Sequence, residues 1–178
     1  MTLGSLRLSR DDPHAWRVAA VGLFVAAAVV GVAIVVGGSA ARAVNPIGAV
    51  LWVASGVVLA LTLPEPRNQA AGWAAAIASG FVLGAIVRPA EIGAAAFAFS
   101  LAGMFVVFVA GDRSGGWGLL APAVYLPVHL VIGIGRAMLT DSGVRTDPPP
   151  TAALVPLSML LGAVVGGMVG AVVLRRRT

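Results

Sequence analysis

The fold is decided by the stretch Trp117-Gly-Leu-Leu-Ala-Pro-Ala-Val-Tyr-Leu-Pro-Val-His-Leu-Val-Ile-Gly-Ile-Gly-Arg136. Its twenty residues are almost all apolar, and a helix of that length, rising about 1.5 Å per residue, matches the roughly 30 Å hydrocarbon core of a bilayer. Three side chains depart from that character. Tyr125, His129 and Arg136 are spaced i, i+4 and i+11, which places them within about 40° of one another on one helix face. Pro122 and Pro127 interrupt the same helix. A proline within a membrane helix frees a backbone carbonyl that another group must satisfy. A polar face beside a weakened backbone is the first place to look for a binding site.

Composition extends this reading to the whole chain of 178 residues, one domain by length. Hydrophobic residues make up 59% and charged residues 11%, against about a quarter charged in a soluble domain. The mean hydropathy is +0.98. There is no cysteine, so disulfides, thiolate metal sites and cysteine nucleophiles are excluded. All twelve basic residues are arginine, and the net charge is +5. The arginines gather at the chain ends and beside the apolar segments, with no aromatic residues interleaved as a base-stacking platform requires. They read as topology signals, and nucleic-acid binding is not expected.

Working outward from the opening stretch, the sequence predicts an all-α integral membrane protein, a bundle of six transmembrane helices forming a single domain over 1–178. The spans fall at about 18–37, 46–63, 71–87, 89–110, 117–136 and 152–174, after a polar leader at 1–17. The first apolar run is followed by small residues, as in a signal peptide. However, it exceeds the ~7–15 residues of such a segment and is read as a retained span. Asn45-Pro46 reads as the cap and first residue of the second helix. Arg88-Pro89 ends the third helix, and residues 137–151 form the longest loop. With both termini inside, cytoplasmic segments hold Arg7, Arg10, Arg17, Arg67, Arg113 and Arg175 to Arg177, against Arg42, Arg88, Arg136 and Arg145 outside. The positive-inside rule therefore favours N-in and C-in, in a plasma membrane.

Small residues recur at helical spacing as Gly162, Gly166 and Gly170, and as Gly80 and Gly84. Such stripes let helices approach closely, either within the bundle or against a partner membrane subunit.

The site residues expected to bind a ligand are Tyr125, His129, Arg136, Arg88, Glu91 and Arg42. His129 lies about 10 Å deeper than Arg136, and ionisable residues at such depth face a bundle interior or a cavity. Arg88 and Glu91 flank a tight outer turn, where they would pair or form a gate. Arg42 would complete the rim, while Asn45 in the same loop is already accounted for as a helix cap. An arginine and a histidine on one face point to an anionic or amphipathic small molecule. No second histidine, cysteine or carboxylate is available at depth for zinc, and no cofactor is expected. Ser55, Ser79, Ser100 and Ser158 sit in no nucleophile motif, so enzymatic activity is not expected. The turn Gly111-Asp112-Arg113-Ser114-Gly115-Gly116 lacks the ending of a phosphate loop and reads as a polar turn.

In plan, a chain of this size with six helices and loops on the outer side resembles the substrate-binding subunits of energy-coupling-factor vitamin transporters. That resemblance implies an outward-facing pocket, a role in small-molecule uptake and docking through an alanine-x-x-x-alanine motif on the first helix. Here the motif's spacing occurs as Ala74/Ala78 and Ala94/Ala98 on the third and fourth helices. The competing expectation is a structural or assembly subunit of a larger membrane complex.

Overall fold

The computed structural model describes residues 14–87, 91–139 and 150–177, and for 38–39, 41–43 and 133–139 it describes the backbone alone. Every regular element among the described residues is helical: α1 (Ala15–Val36), α2 (Gly38–Thr62), α3 (Gln69–Phe81), α4 (Ile92–Ala110), α5 (Leu120–Leu139) and α6 (Val155–Arg176). A π-helical segment, Val82–Val87, continues α3, and short 3-10 turns, Gly116–Leu119 and Pro150–Leu154, lead into α5 and α6. Five helical stretches are long and apolar enough to cross a membrane: Ala15–Val36, Val44–Thr62, Gln69–Val87, Ile92–Ala110 and Pro150–Arg176. The opening stretch is an apolar helix over Gly116–Ile132, shorter than these.

The surface has the polarity of a protein solvated by hydrocarbon. Val18, Val131, Ile86, Phe97 and Met168 each leave more than half of their area exposed, and such residues recur along every long helix. Asp112, Thr62 and Ser158 are instead buried. Thr62 and Ser158 satisfy themselves locally, donating to the carbonyls of Val58 (2.8 Å) and Val155 (2.7 Å). A polar hydroxyl with no water nearby is held in this way within an apolar helix.

Two local expectations are corrected. Asn45 does not cap α2, because the helix already begins at Gly38 and Pro46 lies inside it. The chain needs only Gly37, with φ at +62°, to pass from α1 into α2. Arg42 therefore lies on a helix rather than in a rim loop. Pro122 does not interrupt α5 either, since it falls in the first turn after the 3-10 lead and only Pro127 is interior. In the first turn the missing N–H has no intrahelical partner to lose.

Around the bundle α1 packs on α2 and α6, α6 on α4, α4 on α3, and both α3 and α2 on α5. The closest seam is α4 against α6. A Cβ at Gly162 or Gly166 would overlap the carbonyl oxygens of Ala96 and Ser100, and one at Gly170 would meet the oxygen of Met104 at 3.2 Å. Four-residue steps on both helices bring backbone onto backbone, the arrangement small-residue stripes permit. These three glycines face α4 of the same chain, which leaves them no free face for a partner subunit. Gly80 and Gly84 are used likewise against Val124 and Val128 of α5.

One end of the bundle is locked. Gly111 adopts the left-handed conformation (φ +68°), and the amides of Gly111 and Asp112 bond back to the carbonyls of Phe108 and Val107, closing α4 in a Schellman motif. The Asp112 carboxylate then accepts from the Ser114 amide (2.8 Å), the Ser114 hydroxyl (3.1 Å) and the Trp117 amide (3.0 Å). The expected polar turn is thus a buried clamp over the start of α5. Trp117 Nε1 donates to the Pro64 carbonyl (2.9 Å), the Asn68 amide to Ala110 (2.8 Å), and Arg175 Nε to Arg113 (3.1 Å). Replacing Asp112 by alanine leaves the buried Trp117 amide and the part-buried Ser114 amide without their acceptor. It is expected to cost about 3 kcal/mol, read as a lower midpoint in denaturing-detergent titrations, and a midpoint equal to wild type would refute the clamp.

Candidate functional site

The opposite end is open. There α5 and α6 touch only sparsely while α1 holds both α2 and α6, and a cavity of about 470 Å³ lies among α1, α2, α5 and α6. Its size falls within the usual range of small-molecule sites, about 300–1,000 Å³.

Each helix contributes through its own periodicity. On α2 the residues Asn45, Ala49 and Trp52 follow at i, i+4 and i+7 and share one face. On α5 the same spacing brings in Tyr125 and His129. Aliphatic side chains from α1 and α6, among them Ile34, Val155 and Met159, complete the walls. Among the described lining residues none carries a formal charge apart from the titratable His129.

The two expected residues of α5 are brought into contact. The rings of Tyr125 and His129 stack with centroids 5.4 Å apart and planes 19° apart. Phe99 of α4 meets Tyr125 edge-on at 5.2 Å, which fixes the inner end of the ladder. Edge-to-face and offset-stacked pairs are the favoured geometries of aromatic rings. Tyr125 is buried and His129 half-buried.

The Pro127 ring leaves the Ala123 carbonyl, four residues back, without its intrahelical donor, and the neighbouring carbonyl of Pro122 is tied to α2. Trp52 Nε1 donates to the Pro122 oxygen at 3.1 Å, a buried bond between α2 and α5. Trp52 is therefore both a wall of the cavity and the tie that holds the helix behind it. Local sequence does not announce this role. A lone tryptophan inside an apolar span was its only signal, since tryptophan bears a donor that must find an acceptor when buried.

Glu91 is exposed at the N-terminal cap position of α4 and makes no side-chain capping bond; it does not line the cavity. Arg88 and the side chains of Arg42 and Arg136 lie outside the described residues. Asn45, set aside in the sequence as a cap, lines the cavity instead. Among the described residues no three histidine, aspartate or glutamate side chains gather to hold a metal ion.

Long apolar helices, outward-facing apolar side chains and a partly open internal cavity define a membrane-embedded helical bundle. The chain matches no known protein family, no curated protein and no solved structure.

Proposed function

We propose that the chain crosses a plasma membrane six times, with both termini in the cytoplasm, and binds a small molecule in an outward-facing pocket as a substrate-binding or transport component. The observation that carries this reading is the cavity of about 470 Å³ at one end of a bundle whose other end is locked. The length of α5, 20 residues, supports its role as the remaining span, since about 20 residues cross the hydrocarbon core.

Orientation rests on charge. Arg17, Arg67, Arg113 and Arg175 to Arg177 belong to the locked end, and basic residues concentrate on the cytoplasmic side. The cavity end then faces out. Arg42, Arg88, Glu91 and Arg136 belong to that end by their place in the chain. Three arginines at that end would draw an anionic or amphipathic ligand toward Tyr125 and His129. Beyond the bilayer itself, other membrane subunits would have to dock on the lipid-exposed faces rather than on the glycine stripe of α6.

Native mass spectrometry of gently solubilised protein tests the pocket directly. Wild type is expected to retain a small-molecule adduct, and Ala49→Trp, which fills the cavity from the α2 wall, is expected to lose it while melting within a few degrees of wild type. An adduct that survives Ala49→Trp unchanged, or no adduct with either protein, counts against the reading.

A further inference from the structure

The cavity is graded in polarity along its depth. On α2 its lining runs from Asn45 to Trp52, and on the chain entering α6 from Ala152 to Met159, a rise of about 10 Å in each case. Asn45 stands exposed at the open end, where its amide offers both a donor and an acceptor. The inner level is formed by Trp52, Tyr125, Leu126 and Met159. Trp52 has given its N–H to the Pro122 carbonyl. Together with Leu126 and Met159 it presents ring, aliphatic and thioether surface there. Val30, Ala49 and Val155 line the walls between the two levels.

Close packing seals this space along α1 and at its base. A Cβ at Gly48 of α2 would meet Cγ2 of Val30 at 2.7 Å, and one at Gly31 of α1 would overlap the carbonyl oxygen of Ala153. The first helix therefore lies directly against both of its neighbours. One turn below Trp52, a Cβ at Gly56 would stand 3.3 Å from the Ala123 Cβ on α5. Here α2 and α5 close beneath the cavity, just where the Trp52 indole ties them. A slender body entering from the open end meets apolar side chains on its way down and a floor at Trp52 and Met159. An ionised group at that floor would have no acidic or basic side chain beside it among the described lining, and an unpaired charge in an apolar site is costly.

We infer that the cavity takes the aliphatic tail of a water-borne amphiphile, inserted tail first, with an uncharged hydrogen-bonding head group held at the level of Asn45. This rests on the pocket reading above and deepens it by naming the part of the ligand that lies inside. Any charge on the ligand belongs beyond that head group, outside the cavity. Each methylene buried from water strengthens binding about fourfold, and the gain ends where the tail reaches the floor. The bilayer interior has no such floor, so partition into lipid keeps rising with chain length.

The test uses the n-alkanols from hexanol to tetradecanol. Binding to the full chain in nanodiscs is measured by equilibrium dialysis, with the uptake of empty nanodiscs subtracted and affinity referred to the free aqueous concentration. Saturable binding is expected to tighten about fourfold per methylene and then to stop tightening at a limiting length. Met159→Ala, which lowers the floor, should move that limit to a longer alcohol, and Met159→Phe, which raises it, to a shorter one; either shift suffices where only one variant folds. Asn45→Leu should weaken every alcohol about fivefold and leave the limit in place. Affinity that climbs without limit, or a limit that neither Met159 variant moves, overturns the tail-first inference, and undiminished binding to Asn45→Leu overturns the place of the head group. No saturable binding of any alcohol also overturns the inference. The pocket reading then stands if native mass spectrometry still finds an adduct that Ala49→Trp removes, and falls with it if there is none.

Discussion

Gly166→Val is expected to be the most damaging single substitution in the α4–α6 seam. A Cβ at that position overlaps the carbonyl oxygen of Ser100, a backbone atom that cannot rotate aside as a flexible side chain would. The helices must separate, and Gly162 against Ala96 and Gly103 against Ala163 lose their close approach along with it. In a bilayer the seam cannot fall back on hydrophobic burial, because lipid tails are as apolar as the helix surface. Tight packing is what holds α4 to α6. Overpacking on this scale costs about 3 kcal/mol or more, to be read from denaturing-detergent titrations followed by tryptophan fluorescence. Gly93 offers the internal control, since nothing lies within 4 Å of its added Cβ. Gly93→Ala is expected to change stability by no more than about 0.5 kcal/mol. A Gly166→Val protein as stable as the Gly93→Ala control would refute the seam as described.

Trp52→Ala is the second large effect, and it links stability to the cavity. Trp52 is among the largest fully buried side chains, and its indole holds the Pro122 carbonyl across the α2–α5 interface. Truncation opens a void and removes that interhelical bond, a combined loss of about 3 kcal/mol. Trp52→Phe separates the two parts. It keeps most of the ring but not the N–H, and its cost is expected near 1 kcal/mol, the scale of one interhelical hydrogen bond in a membrane protein. If Trp52→Phe is as damaging as Trp52→Ala, the hydrogen bond rather than packing dominates. If both are neutral, Trp52 is not the tie between these helices. The alanine variant should also enlarge the cavity and weaken ligand retention in native mass spectrometry, beyond what its lower stability explains.

The candidate site was legible only along single helices. Tyr125 and His129 share a face by spacing, and that face does line a cavity with the two rings in contact. Asn45 and Trp52 were obscure for opposite reasons. Asn45 precedes a proline, which favours a cap reading, but in a chain turning at Gly37 the helix has already started. Trp52 sits in an apolar run where a tryptophan reads as one more lipid-facing ring. Its acceptor lies seventy residues away on α5, and no local pattern announces a partner at that distance. Ser158 and Thr62 were better placed for sequence reasoning, because their acceptors are their own helix carbonyls three or four residues back.

By itself the sequence determined the class of this protein. Apolar runs of bilayer length, few charges and arginines at the run ends follow from composition and length alone, because a backbone in hydrocarbon must satisfy its own hydrogen bonds and does so in helices. Only the tertiary structure decided how the helices are spent. A glycine stripe permits close approach without naming the partner, and here the partner is α4. A buried tryptophan needs an acceptor without naming it, and here the acceptor is the Pro122 carbonyl on α5. The cavity belongs to that second category, since it exists where α5 and α6 part, a distance between elements rather than a property of any one of them.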